Sequence, residues 1–319
     1  MEFAVNIPTS VGGGADSEYS MLPMADSISW DLQREFGVRI EEFGFDGLAV
    51  PDHLMTGNGA TMECLTTLTG LAGETESVYL YPKTINNPLR HPPFLAKTAA
   101  TVDNVSGGRL KLGMGAGWKD DEALAYGYDW PDAPDRLREL EETIELMKRL
   151  WTEEYVTYDG EYVSVDEAMC KPHPVQDPYP PIMVGGGGEE FTLRIAAKHA
   201  DVWNYWGSLD IIEHKLDVLE QHCDTYDTDY EAIQKSWFAR CAIRETDDEL
   251  EELLTEVPRF REENIGEDEN HLVGTPEGII ADIERYVDLG IKEIVVEFVD
   301  FPHTDGAEIF AEEVIPTFE

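Results

Sequence analysis

Short apolar runs, each bounded by glycine, proline or polar residues, alternate along the chain with longer stretches of three- and four-residue apolar spacing. Residues 2–7 alternate and are rich in β formers, which predicts a first strand. Residues 30–43 place Leu32, Phe36, Ile40 and Phe43 on one helical face and stop at Gly44. Strands are predicted at 47–50, 78–83 and 109–114, and a helix near 61–72. Another helix starts behind Pro92 and Pro93, residues suited to a first helical turn, and runs to about 105. The strongest helix covers 135–151, with Leu137, Leu140, Ile144, Met147 and Leu150 on one stripe.

The second half keeps the alternation with one interruption. Residues 155–165 read as an extended hairpin around Asp159-Gly160, followed by a proline-rich passage. Strands are then predicted at 182–184, 201–203, 236–243 and 293–298. Helices are predicted from Glu189, at 209–222 and 275–289, with an acidic helical region at 247–263 and a closing helix. Short apolar strands alternating with helices imply a parallel sheet covered by helices. Eight strands, with no linker dividing two halves, favour an α/β fold of the (β/α)₈ TIM-barrel type over an open doubly wound sheet. The expectation is one domain over 1–319 with an insertion near 152–180. Chemistry in such a barrel sits on the loops after the strands.

Composition narrows the function classes. Sixty-six acidic residues against 23 basic ones give a formal charge of −43, spread along the whole chain. Such a molecule repels nucleic acid and anionic membranes, so neither is expected as a partner. Concentrated salt would screen the self-repulsion, so the reading is a cytoplasmic protein of a salt-accumulating (halophilic) organism; the alternative is an ordinary acidic protein. No apolar run is long enough to span a membrane, and MEFAVNIPTS has no basic segment ahead of a long apolar one. Cys64, Cys170, Cys223 and Cys241 are scattered, which suits buried thiols rather than disulfides or metal ligands; no metal is expected.

Three loops carry candidate chemistry. After the second strand, Asp52-His53 offers an imidazole titrating near neutrality with a carboxylate to orient it. After the fourth, Gly113-Met114-Gly115-Ala116-Gly117-Trp118 permits close backbone approach to a ligand and supplies a flat ring for stacking. After the fifth, Gly185-Gly186-Gly187-Gly188, set before the helix predicted from Glu189, presents amide N–H groups suited to a phosphate. Each has a plain structural alternative: a loop histidine, a tight turn, a flexible linker. Arg90 either contacts an anionic ligand or pairs with a neighbouring acid, Thr275 is a predicted helix cap, and Glu122, Trp206 and His173 are further pocket candidates.

Taken together, GFDGLAVPDH, RHP, SGGRLKLGMGAGW with Glu122 four residues on, PPIMVGGGGEEFTLRIAAKHADVWN and LVGTPEGIIADIERYVDLGIKEIVV resemble the luciferase-like monooxygenases. More narrowly, they resemble the F420-dependent oxidoreductases of that superfamily. The resemblance implies a homodimer, with the ring of the deazaflavin coenzyme F420 (or of FMN) at the C-terminal mouth of the barrel. Gly186, Gly187 and Gly188 would hold its phosphate, with Gly185 also in the cofactor site, and Gly115, Ala116 and Gly117 would line the other side. His53 would be the acid/base partner of hydride transfer and Asp52 its orienting carboxylate, both catalytic. A non-proline cis peptide behind the ring would fall at Lys83-Thr84, and Trp118 would be a pocket wall. Trp118 stands where F420-dependent sugar-phosphate dehydrogenases carry a catalytic Glu, so their substrate is not transferred. The implied activity is hydride transfer to or from a small organic substrate. The alternatives are an FMN-dependent monooxygenase using O₂ and a cofactor carrier without turnover.

Overall fold

The computed structural model describes residues 1–11, 28–55, 60–257, 260 and 271–319. Most of the predicted acidic helical region beyond Val257 lies outside them. Eight parallel strands form the frame: β1 Glu2–Asn6, β2 Gly47–Val50, β3 Tyr79–Pro82, β4 Leu112–Gly115, β5 Ile182–Gly185, β6 Val202–Tyr205, β7 Gln234–Ile243 and β8 Glu293–Phe298. Their hydrogen-bonded order is β3-β2-β1-β8-β7-β6-β5-β4. The ring is completed where Leu80 bridges Leu110, with Leu80 N–H donating to Arg109 O at 2.9 Å and Lys111 N–H to Leu80 O at 3.1 Å. This is the TIM barrel the alternation predicts.

Helices α1 Trp30–Glu42, α2 Cys64–Glu74, α3 Pro92–Ser106, α4 Asp120–Ala125, α5 Ala133–Thr152, α6 Thr192–His199, α7 Leu209–Tyr226, α8 Asp247–Glu256, α9 Pro276–Asp288 and α10 Asp305–Ile309 follow the strands. Their starts are chemically marked. Ser29 accepts from Leu32 N at α1, Asp132 from Asp135 N at α5, and Thr246 forms a reciprocal capping box with Glu249 at α8. The stripe of α5 buries Leu140, Ile144, Met147 and Leu150. Between α5 and β5 the chain forms the predicted hairpin, Val156–Asp159 against Ser164–Ala168; the Glu142 carboxylate accepts from the amides of Glu161, Tyr162 and Val163.

Three expectations are corrected. Helix α6 opens at Thr192, not at Glu189, because residues 189–191 form a turn closed by Leu193 N–H on Gly188 O at 3.0 Å. A further parallel strand, His271–Gly274, pairs with the outer half of β7. Thr275 sits at the α9 cap position, but its side chain accepts no cap hydrogen bond there.

The pleat sorts side chains into layers inside the barrel, since alternate residues of a strand face the same way. Ala4, Ala49, Tyr81, Met183, Val202 and Val295 pack together with Phe238 as the apolar middle. One step toward the N-terminal end lie Glu2, Lys111 and Glu293; one step toward the C-terminal mouth lie Asn6, Lys83, Arg240 and Glu297. At the lower end Lys111 Nζ reaches Glu2 Oε2 at 2.7 Å and Glu293 Oε1 at 2.8 Å.

Candidate active site at the barrel mouth

The predicted loops converge at the C-terminal ends of β2 to β6. Asp52 and His53 are consecutive in an extended segment, so their side chains diverge. Asp52 is buried, and its Oδ1 accepts from Arg90 Nη2 at 2.7 Å. Its Oδ2 accepts from the Asn86 amide at 2.8 Å and from Arg90 Nη1, so the guanidinium grips both oxygens. Arg90 also reaches Glu63 Oε1 at 2.7 Å. Burial works against the Arg90 charge, but the two carboxylates outweigh it and hold the group cationic. Asp52 is therefore committed to fastening β2 to the loop after β3.

The carboxylate on His53 belongs to Glu122, which corrects the expected Asp52-His53 dyad. Glu122 Oε1 lies 2.9 Å from His53 Nδ1, and its Oε2 accepts from the amides of Leu54 at 2.9 Å and Met55 at 3.3 Å. Burial opposes ionisation of Glu122, yet the His53 and amide hydrogen bonds prevail and hold its carboxyl below the ordinary range. An ionised carboxylate facing Nδ1 keeps that nitrogen protonated and leaves Nε2 as the exchangeable position. Trp118, 57% exposed, stands edge-on to the imidazole with ring centroids 5.7 Å apart.

Close approach at the glycine run is made by the chain itself. A Cβ on Gly113 would lie 2.1 Å from Pro82 O, and one on Gly115 would lie 2.6 Å from Thr84 Oγ1. Gly185 is bounded the same way by Thr84 Cγ2, at 2.7 Å. Gly117 has φ +74°, a left-handed conformation that glycine adopts freely, and faces Asn86 Oδ1. Arg136 of α5, packed over Trp130, donates Nε to Ala116 O at 3.0 Å and so anchors the loop. The Lys83-Thr84 peptide between these glycines is cis, at the step the resemblance implies.

At the tetraglycine turn, Gly186 N–H donates to Asn204 O at 3.0 Å, and Gly186 O accepts from Trp203 Nε1 at 2.9 Å. The amides of Gly187 and Gly188 donate to nothing among the described residues. The Tyr205 ring lies 2.4 Å from where a Gly187 Cβ would stand, so the turn is a fitted cradle against β6. The Glu189 carboxylate beside it is drawn off by Lys215 Nζ at 2.5 Å and His214 Nε2 at 3.0 Å, which lower its pKa. Trp206, half exposed, flanks Tyr205 at the same rim. His173 is elsewhere: its carbonyl takes Asn104 Nδ2 of α3, behind the barrel.

Lys83 completes the mouth. Its Nζ stands 3.4 Å from the Phe238 ring centroid, and burial lowers its pKa from 10.5 to about 8 against the pull of Glu297. No described helix is long and apolar enough to cross a membrane.

Comparison with known proteins bears on this arrangement. The luciferase-like monooxygenase family matches residues 1–264. The F420-dependent glucose-6-phosphate dehydrogenase of Microbacterium testaceum is 29% identical over 88% of this chain and 91% of its own. The FMNH2-dependent dimethylsulfone monooxygenase of Pseudomonas putida is 26% identical over 81% of this chain and 69% of its own. Among solved structures, the coenzyme F420 dependent tetrahydromethanopterin reductase of Methanopyrus kandleri superposes with a TM-score of 0.81, covering 100% of this chain and 99% of its own at 20% identity.

Proposed function

The chain belongs to the luciferase-like monooxygenase family, and from that premise we propose an oxidoreductase that passes a hydride between coenzyme F420 and a small organic substrate. The relatives are F420-dependent dehydrogenases and FMN-dependent monooxygenases, which supports a deazaflavin or flavin oxidoreductase. Two F420-dependent relatives align over 91% of their own length, which favours F420. The site residues fit such a group on two counts. The amides of Gly187 and Gly188, which donate to nothing among the described residues, suit a phosphate, and the exposed rings of Trp118 and Trp206 suit a planar ring.

One observation carries the mechanism: Glu122 holds His53 on its Nδ1 side, and Nε2 makes no hydrogen bond among the described residues. When bound, the deazaflavin supplies a carbon centre that accepts or donates hydride; the protein supplies orientation and proton handling. His53 Nε2 takes the hydroxyl proton as substrate is oxidised, and Glu122 stabilises the resulting imidazolium. In the reverse direction the same nitrogen returns the proton. Asp52, through Arg90 and the Asn86 amide, positions the loop that bears His53 without touching the reacting atoms. Trp118 walls the site and limits water.

The test is titration of F420 and FMN separately in 2 M KCl, read by the absorbance of each cofactor, followed by turnover across a panel of alcohols and aldehydes. F420 binding with His53→Ala slowed at least ~100-fold at unchanged F420 affinity is the expected outcome, within the usual range for general acid–base groups. Tight FMN binding with oxygen consumption would assign the chain to the monooxygenase branch instead. Cofactor binding without turnover of any panel member would make it a carrier.

A further inference from the structure

Among the described residues two lysines face the inside of this barrel, and they sit in opposite electrostatic settings. At the N-terminal end Lys111 hydrogen-bonds two carboxylates, Glu2 and Glu293, and these raise its pKa despite burial. That layer sets one cation against two carboxylates. At the mouth the count reverses, with two cations, Lys83 and Arg240, to one carboxylate, Glu297. The Glu297 carboxylate is already engaged: Oε2 accepts from Asn6 Nδ2, and Oε1 lies 3.5 Å from Arg240 Nε. Lys83 Nζ makes no hydrogen bond or ion pair among the described residues and stands over the Phe238 ring.

This cation excess lies in a chain with 66 acids and 23 bases, where almost any cation could find a carboxylate. A desolvated ammonium without an anion is unfavourable, and burial depresses its pKa accordingly. Lys83 is nonetheless partly exposed, and it follows the C-terminal end of β3, the end of the barrel at which His53 and the tetraglycine turn also lie.

We propose that this upper layer is an oxyanion-binding floor, in which the Lys83 ammonium, with Arg240 beside it, receives a carboxylate or phosphate group of the substrate. The oxidoreductase reading is needed only for the word substrate; the anion site stands on the barrel layer alone. The charged groups facing Lys83 are Glu297 from β8 and Arg240 from β7.

The experiment labels the lysines by reductive ¹³C-methylation and follows each dimethylamine resonance against pH in 2 M KCl, with Lys83→Arg to assign the signal. Inorganic phosphate and acetate are the probes, each tested without and with F420. An anion that binds the ammonium form raises the Lys83 pKa. A rise of about one unit, equivalent to tenfold tighter binding to that form, is expected with phosphate or acetate. Calorimetric phosphate affinity should fall at least tenfold in Lys83→Met and be largely retained in Lys83→Arg. A Lys83 pKa unmoved by either probe, in both cofactor states, overturns the proposal. If F420 alone raises the pKa and abolishes the response to both probes, the anion belongs to the cofactor, and the substrate assignment falls. If F420 fails to bind while phosphate still raises the pKa, the redox reading fails and the oxyanion floor stands.

Discussion

Replacing Lys83 by Met should stabilise the protein near neutral pH and remove part of its dependence on alkalinity. Burial lowers the Lys83 pKa from 10.5 to about 8. A shift of ~2.5 units at ~1.4 kcal/mol per unit sets an upper limit of about 3.5 kcal/mol for keeping this ammonium in the folded barrel at pH 7. The residue retains some exposure, so about 2 kcal/mol is the working figure. The native pKa is depressed, so between pH 8 and 10.5 the unfolded chain holds a proton that the native state has lost. Wild-type stability therefore gains a rising contribution across that window, and Lys83→Met gains none. Denaturant unfolding in 2 M KCl, followed by circular dichroism from pH 7 to pH 10, isolates the effect. The wild-type-minus-variant difference should grow by about 2 kcal/mol over that range, with the variant the more stable at pH 7. Curves running parallel within ~0.5 kcal/mol would mean the native ammonium is not desolvated, and the reasoning for both this prediction and the oxyanion floor would be wrong.

Other substitutions and conditions probe the rest of the mouth. Arg90→Met strands the buried Asp52 carboxylate and should destabilise by roughly 3–5 kcal/mol in chemical denaturation; a loss under 1 kcal/mol would show the pair to be incidental. Gly115→Ala sets a Cβ 2.6 Å from Thr84 Oγ1 and should cost about 1–3 kcal/mol, much of it recovered when Thr84→Ala removes that oxygen. Additive losses in that double-mutant cycle would refute the contact. Salt should act in an unusual direction: with a formal charge of −43, both the unfolding midpoint and F420 affinity should rise from 0.2 to 2 M KCl as repulsion is screened. Weaker F420 binding at high salt would imply that local cations dominate the approach of the cofactor.

The barrel was legible because each strand is a short apolar run closed by turn residues, and because α5 carries an unbroken stripe. The strand His271–Gly274 escaped since only Leu272 and Val273 mark it, and Gly274 reads as a break. Glu189 and Glu190 looked like a helix start because acids suit the positive end of the helix dipole, but the glycines before them extend the turn to Phe191. The partner of His53 was misassigned for a geometric reason. Neighbours in an extended segment point apart, so the adjacent Asp52 serves Arg90, while the acid that meets the imidazole is 69 positions away. The sequence offers Glu122 as a pocket candidate, but no spacing rule joins it to His53. The position of Lys83 inside the barrel follows from the Tyr79, Tyr81, Lys83 parity; the missing anion around it requires the whole layer.

The seam where β3 meets β4 is slender: Leu80 with its two main-chain hydrogen bonds stands where β7 and β8 share six residue pairs. Arg109 rivets it, donating to the carbonyls of Ala72, Thr75, Val78 and Ser106 at the lower end, while Ile85–Asn86 rejoins β4 above. The stretch from Lys83 to Thr84 thus hangs between two short ladders directly over the middle layer. A ligand lodged against that stretch would splint the seam, and the amide protons of Leu80 and Lys111, two layers below, would exchange with solvent more slowly without touching it.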